Sequence, residues 1–398
     1  MAVAFFSVVW TDENGITTYL YPETIEVHRG MQSKKSQATV RLPLGFDDAT
    51  IPPYFDDDGK LSFKVRETMT FYAGYSSDAA TANATYILLS GEISELAPTF
   101  NQNELLVKFS LIDKSTALLD KMIYVNLNDT TDNMVKTVVK KASENKSNEG
   151  AFGSGNESYD ISVTNVNTTN SLGEAFPTKT FSSRYKPAYQ MLEELSQIEY
   201  TGDDKPYYFW VDANNNFYWK YPSGTTDATI DTTSSDDVVE ESFSKNEDDA
   251  VNFIIFNAGK DKNDNGILFY DYNEETDVAA LKMAYKDWSE IANAEMRDDL
   301  NFDWAGSTNT QVRTEAKNRG VARCQALFSK SGQLKWKGKC VLRGDKSWNP
   351  GQLIDYTSTK CGIINQKLRV TDVTQSLNSK GWYTTLELEE DWKAMVVT

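Results

Sequence analysis

The sequence predicts a mainly β protein with α+β insertions, in which two β-barrels are carried by one chain. Three observations lead there. Apolar and polar residues alternate with a period of two near both ends. In the last strand Trp382, Thr384, Leu386, Leu388 and Trp392 share one face, and Tyr383, Thr385, Glu387 and Glu389 the other. Short runs of this kind are closed by turn signals such as Asp12-Glu13-Asn14-Gly15 and Asn349-Pro350-Gly351. Helical spacing is confined to the middle of the chain.

The first barrel is expected over 1–115. Phe5–Val9 and Thr17–Leu20 flank the Asn-Gly turn, and Ile25–His28 and Ala38–Leu42 alternate next. Leu61, Phe63 and Val65 alternate after Asp56-Asp57-Asp58-Gly59, and Thr68–Tyr72, Thr85–Leu89 and Leu105–Leu111 complete the series. Short strands at close spacing, with no strong helix between them, predict a sandwich or barrel. An inserted α+β domain is expected over 116–237. Thr131–Ser143 sets Met134, Val135, Val138, Val139 and Ala142 at helical spacing, and Pro187–Ile198 does the same with Met191, Leu192 and Leu195. Residues 145–180 read as polar loop with one short strand around Ile161–Val163. Tyr207–Val211 and Phe217–Tyr221 form a hairpin across an Asn-rich turn, and 223–237 reads as a Ser/Thr/Asp linker.

The second barrel is expected from 238–272 plus 334–398, with 273–333 as a helical insertion. Val251–Phe256 and Ile267–Tyr272 flank the turn Asp261–Gly266. Val278–Leu300 holds Leu281, Tyr285, Trp288, Ile291 and Ala292 at helical spacing. Val312–Ser329 is a further helix whose small residues Ala316, Gly320, Ala322 and Ala326 permit close packing. It leads into the runs Trp336–Leu342, Gln352–Tyr356 and Ile363–Val373 and the last strand. Such a meander must close, pair or be covered to hide its edges.

Composition narrows the function. The net charge of -18 excludes binding nucleic acid by phosphate neutralisation over the general surface. No apolar run approaches the ~18 residues of a membrane span. The apolar opening of the chain lacks a basic region and a small-residue cleavage site, so it reads as a first strand rather than a signal peptide. His28, the single histidine, reads as a strand residue rather than a base, and no Gly-x-Ser-x-Gly elbow occurs. Cys324, Cys340 and Cys361 have no metal spacing and read as free buried thiols.

Other motifs carry bland readings. Asp261–Gly266 matches the first half of an EF-hand loop, but Tyr272 stands where a bidentate Glu is needed, so it reads as an Asx-rich turn. Asp56–Asp58 reads as a solvated turn. Glu193 with Glu194, and Glu389 with Glu390, carry no signal among 58 acidic residues. Trp288, Trp304 and Trp348 read as packing residues rather than a sugar platform. No catalytic, cofactor-binding or metal-binding residue is assigned, and no enzyme is expected. A carbohydrate-binding or depolymerising tail protein (adhesin or glycoside hydrolase) is the alternative, and it lacks the repeat such proteins usually show.

The terminal meander resembles the C-terminal barrel of phage tail baseplate hub proteins, a family that includes the hubs of contractile injection systems and of type VI secretion spikes. The residues that carry the likeness are Gly344, Pro350, Gly351, Leu353, Ile354, Gly362, Ile363, Leu368, Arg369, Val370, Val373, Gly381, Trp382, Thr384, Thr385 and Leu386. Tyr86–Leu96, Phe109–Leu118, Ala188–Trp219, Asp249–Gly259 and Thr314–Leu327 are similar to other segments of that family, in the same order. The resemblance implies two tail-tube-like barrels per chain and a homotrimer forming a pseudo-sixfold ring. It implies as partners a tail tube protein or tube initiator, a spike or tail-tip protein and baseplate neighbours. Genomic DNA would pass only as cargo through an acidic lumen, in a virion tail assembled in the host cytoplasm.

Overall fold

The computed structural model describes residues 4–391 apart from 13, 21, 32–36, 45–60, 76–86, 102–103, 144–160, 171–172, 199–206, 222–224, 235–236, 247–249, 274–279, 300, 332–334 and 345–347. The turn Asp56–Asp58 and Trp392 therefore lie outside the described residues. Seven strands open the chain: β1 (Ala4–Thr11), β2 (Thr17–Leu20), β3 (Thr24–Gly30), β4 (Gln37–Leu44), β5 (Thr68–Tyr75), β6 (Ile87–Asn101) and β7 (Glu104–Ile112). The insert follows with α1 (Thr116–Asp120), β8 (Met122–Thr130), α2 (Thr131–Ser143), β9 (Ser162–Val166), β10 (Thr178–Pro187), α3 (Ala188–Ile198), β11 (Tyr208–Val211) and β12 (Asn216–Lys220). Next come β13 (Ala228–Asp231), β14 (Val238–Asn246), β15 (Phe253–Lys260), β16 (Gly266–Tyr272) and β17 (Met283–Asp287), a single π-helical turn at Ile291–Glu295, and α4 (Asn309–Ser331). The chain closes with β18 (Lys335–Arg343), β19 (Leu353–Ser358), β20 (Ile363–Asn378) and β21 (Gly381–Glu390).

The protein is mainly β, as expected. Thirteen strands form one sheet, in the order β14-β18-β21-β20-β3-β4-β7-β6-β5-β1-β2, with β19 on β20 and β13 on β19. The ends of the chain meet where β20 pairs antiparallel with β3, Asp372 opposite Gly30 and Leu377 opposite Ile25. Two cores lie beneath. One gathers Val8, Val27, Val40, Phe71, Leu89 and Phe109, and it takes Leu377 and Trp382 from the far end of the chain. The other gathers Cys340, Ile354, Tyr356, Val370, Val373, Leu386 and Leu388. The alternation of the last strand is realised, with Trp382, Thr384, Leu386 and Leu388 all buried. No helix of the described residues is long and apolar enough to cross a membrane.

Several elements differ from expectation. Leu61–Val65 is not a strand. Phe63 packs edge-on between Trp10 and Phe109 while Val65 is exposed, because Glu67 ties the segment into a turn by accepting bonds from Lys64 N and Trp10 Nε1 at 2.8 Å each. The short strand expected around Ile161–Val163 is β9, while β10 begins at the end of the stretch 145–180, in Thr178, and pairs with the unexpected β8. Their outward residues are partly apolar, which weakens the period-two signal. The linker 223–237 contains β13, held parallel to β19.

The hairpin 251–272 lies apart from the terminal meander, in a sheet of its own, β16-β15-β17. Of the segment Val278–Leu300, the described residues 280–299 hold a strand and a π turn rather than a helix. β17 is held by parallel pairing with β15, and Leu281 and Tyr285 face solvent. Trp288, Ile291 and Ala292 turn inward with Met296, onto a core shared with Phe256 and α4. The expected helix 312–329 is α4. It begins at a reciprocal cap, Thr308 N donating to Gln311 Oε1 at 2.7 Å and Gln311 N to Thr308 Oγ1 at 3.3 Å.

Three hairpins share one turn chemistry. Asp12, Asp212 and Asp261 each place Oδ1 2.7–3.0 Å from the amides two and four residues ahead. The residues three ahead, Gly15, Asn215 and Asp264, have φ of 79°, 59° and 60°. Gly, Asn and Asp are the types that tolerate this left-handed conformation.

Candidate functional site

Period-two spacing carries Ile25 and Val27 into the core and sends Arg29 the same way, so a guanidinium is buried where β3 meets β20. Its Nη1 donates to Asn349 Oδ1 and its Nη2 to the Trp348 carbonyl, both at 2.7 Å. Burial lowers its pKa to about 10 against the opposing pull of Asp212 and Asp113. A second guanidinium, Arg369 on β20, donates from Nε to Asp391 at 2.9 Å and from Nη1 to the Gly351 carbonyl at 2.7 Å. It also lies 4.3 Å from the Tyr208 ring centre of the insert. Met31 bridges Trp210 of β11, and a Cβ on Gly351 would come within 2.9 Å of the Trp210 ring. First strands, insert and terminal meander are thus locked at one seam. Sequence reasoning assigned no role to Arg29, although its place on the core side of an alternating run was a readable signal.

Above the seam, on the face turned from the cores, two rows of polar side chains cross the joined sheet. One runs Thr385, Thr374, His28, Gln37. The other runs Tyr383, Ser376, Glu26, Thr39, Ser110, Glu95. Between β21 and β6 neither row holds a lysine or arginine, but the second runs on from Tyr383 to Arg343 of β18, and Arg41 and Lys108 stand in the next row. His28 Nε2 lies 2.9 Å from the buried Asp372 Oδ1 across the strand junction. The histidine thus ties two strands together, as a strand residue should.

The other sequence candidates resolve as packing or turn residues. Asp261 caps its hairpin and also accepts from Arg313 Nη1 at 3.3 Å, which leaves an Asx turn and no EF-hand. Trp288 and Trp348 are buried, and Trp304 is covered by Arg297 and Lys262. Glu194 pairs with Lys186 at 2.6 Å, and buried Glu390 accepts from Trp336 N at 3.1 Å. Cys324 and Cys340 are buried free thiols and Cys361 is half-buried. Desolvation pushes the Cys340 thiol up to about 11 and Cys324 further, so both stay unionised near neutrality. Among the described residues no group of three or more His, Cys, Asp or Glu could hold a metal ion.

A cleft of about 460 Å³ lies between the insert and the π turn, lined by Phe181, Ser183, Lys186, Trp288, Glu295 and Arg323 among others. Arg323 spans it, donating to Glu290 at 2.8 Å and Glu295 at 2.6 Å. Its charges are thus largely paired with one another, and nothing in it joins a nucleophile to a base.

No protein-family model and no curated protein sequence matches the chain. Solved structures do. The 43 kDa tail protein of prophage MuSo2 from Shewanella oneidensis superposes with a TM-score of 0.59 at 13% identity, over 96% of this chain and 97% of that one. A tail protein from Neisseria meningitidis gives 0.58 at 10% identity, with 98% of each chain covered. A prophage tail protein from Listeria monocytogenes gives 0.51 at 10% identity, covering 98% of this chain and 96% of that one. Nearly the whole chain, with its insert and its joined sheet, therefore has the fold of phage and prophage tail proteins.

Proposed function

We propose that the chain is a structural hub of a phage-type tail. Three copies form a ring with two tube-like barrels from each, joining the tail tube to the central spike around the DNA channel. The observation that carries this is end-to-end agreement in fold with two tail proteins, over 96% and 98% of the chain. The division read from the sequence is proposed with it: barrels at 1–115 and at the chain end, and the α+β insert between them. Strand edges left at β14 and β2 are completed within the ring or by adjacent segments, since an exposed edge invites pairing.

The rows of hydroxyl and acidic side chains across β21, β20, β3 and β4 are proposed to face the channel. Their own positions between β21 and β4 carry no lysine or arginine, cations standing only at their borders in Arg343, Arg41 and Lys108, and the charge of -18 favours sliding over binding. The role is mechanical rather than catalytic. Tube, spike and baseplate neighbours are its partners, in a virion tail assembled in the host cytoplasm.

Imaging of assembled tails tests this. A threefold ring with two similar barrels per chain is expected, its lumen lined by Thr374, Ser376 and Glu26. A ring of six identical chains, or a lumen lined by lysine and arginine, rules the reading out.

A further inference from the structure

The cleft between the insert and the π turn runs along the edge of a strand. Thr180, Phe181, Ser182 and Ser183 of β10 all line it. Successive side chains of a strand point to opposite faces, so four residues in succession meet one cavity only along the strand's edge. That edge has no neighbouring strand, because β10 pairs with β8 alone, in a sheet of two. Among the described residues no backbone–backbone hydrogen bond joins 180–183 to anything but β8. One side-chain bond crosses to the facing wall, from Thr180 Oγ1 to the Asp298 carbonyl at 3.2 Å. A further polar group in the lining is unmet: Ser183 is 5% exposed and its Oγ has no hydrogen-bond partner. Unpaired strand edges are templates for another strand, and an extended segment can add to one by main-chain hydrogen bonds.

Charge sets the chemistry of that segment. The facing wall brings Asp287, Glu290, Glu295 and Asp298 to the cleft, and Glu194 of α3 adds a fifth carboxylate. Lys186 and Arg323 are the cations of the lining. Lys186 is engaged by Glu194, and Arg323 by Glu290 and Glu295. Asp287 and Asp298 are exposed and form no ion pair among the described residues, so the cleft keeps an excess of negative charge. At the spacings of packed sheets each residue of an extended chain fills about 160 Å³, so a cleft of this size holds about three. Lysine or arginine at alternate positions of such a segment would reach the two unpaired carboxylates while its backbone bonds the strand edge.

We propose that the free edge of β10 takes up an extended, basic segment of a partner protein as an added strand, a contact that requires no ring. Calorimetric titration of the purified full chain tests it with the peptide acetyl-TKVKVKT-amide as probe. Beside it stand the acidic counterpart acetyl-TEVEVET-amide, spermidine, and the lysine peptide N-methylated at alternate backbone nitrogens in either register. The lysine peptide is expected to bind and to slow amide exchange within 179–184, and the glutamate peptide to leave both unchanged. The variant Asp287→Asn/Asp298→Asn is expected to keep its circular dichroism and to bind the lysine peptide at least about tenfold more weakly, as the loss of charge-assisted bonds does. N-methylation in one register or the other is expected to weaken binding by a similar factor, because it removes the N–H groups that the edge would accept. Spermidine that binds as tightly as the lysine peptide, or N-methylated peptides that bind as well as their parent in both registers, overturn strand addition and leave a cation site only. Slowed exchange elsewhere but not within 179–184, undiminished binding by the asparagine variant, or no binding at about 1 mM peptide overturns the site.

Discussion

Gly320 shows how one residue's meaning depends on its neighbours. It lies inside α4, where alanine ordinarily gains about 1 kcal/mol over glycine. Here an added Cβ would stand 2.0 Å from Phe256 Cε2. The Phe256 ring is itself fully buried, against Phe269 and Trp288, and has little room to step aside. Gly320→Ala is therefore expected to destabilise the protein by about 1–3 kcal/mol, as overpacking does. Urea denaturation reads this directly, and a stabilised variant would show that the ring can move. The run of small residues was legible in the sequence, but the phenylalanine that demands the smallest of them comes from a strand more than sixty positions earlier, counted roughly.

The repeated Asp-x-Asn turn carries the argument at the scale of elements. At Asp261, desolvation raises the pKa, and the amides of Asn263 and Asn265, with the side chains of Asn265 and Arg313, more than reverse this, so the carboxyl ends below its ordinary range. A folded pKa below the unfolded one gives stability that is complete above about pH 4 and is lost as pH falls through the folded value. Asp261→Ala is expected to lower Tm at pH 7, with the gap to wild type narrowing at pH 3. Scanning calorimetry at the two pH values checks the sign, and a gap that widens in acid contradicts it. Turns of this kind were readable because their chemistry is local. The segment Val278–Leu300 misled for the opposite reason. Leu281 and Tyr285 have helical spacing, yet parallel pairing with β15 supplies the backbone partners and leaves both side chains outside.

For the whole molecule, the decisive feature is that the two ends of the chain share a core. Leu377 of β20 is 1% exposed and packs among residues of β1 to β7, as does Trp382 of β21. Leu377→Ala is expected to cost about 2–5 kcal/mol. Hydrogen exchange should quicken in β4 and β7 as well as in β20. If the first seven strands keep their protection, the ends of the chain are not one cooperative unit. Such a joint binds the two ends into a single part, with Arg29 tying β3 to the loop before β19 and Arg369 lying over Tyr208 of the insert.

Read alone, the residues settle what is local: alternation places Thr384 and Leu386 inward, i to i+4 spacing builds α2 and α3, and Asp with Asn builds the turns. They also carry a likeness to phage tail proteins, and the chain has the fold of such proteins. They do not settle which strand lies beside which. The bond from Arg29 to the Trp348 carbonyl spans 319 positions, and period-two patterns on β3 and β20 are equally compatible with other neighbours. Pairing over such distances is chosen by the cores the strands enclose together, by the buried guanidiniums that must find acceptors, and by edges that must be covered. Those conditions exist only once the chain is folded.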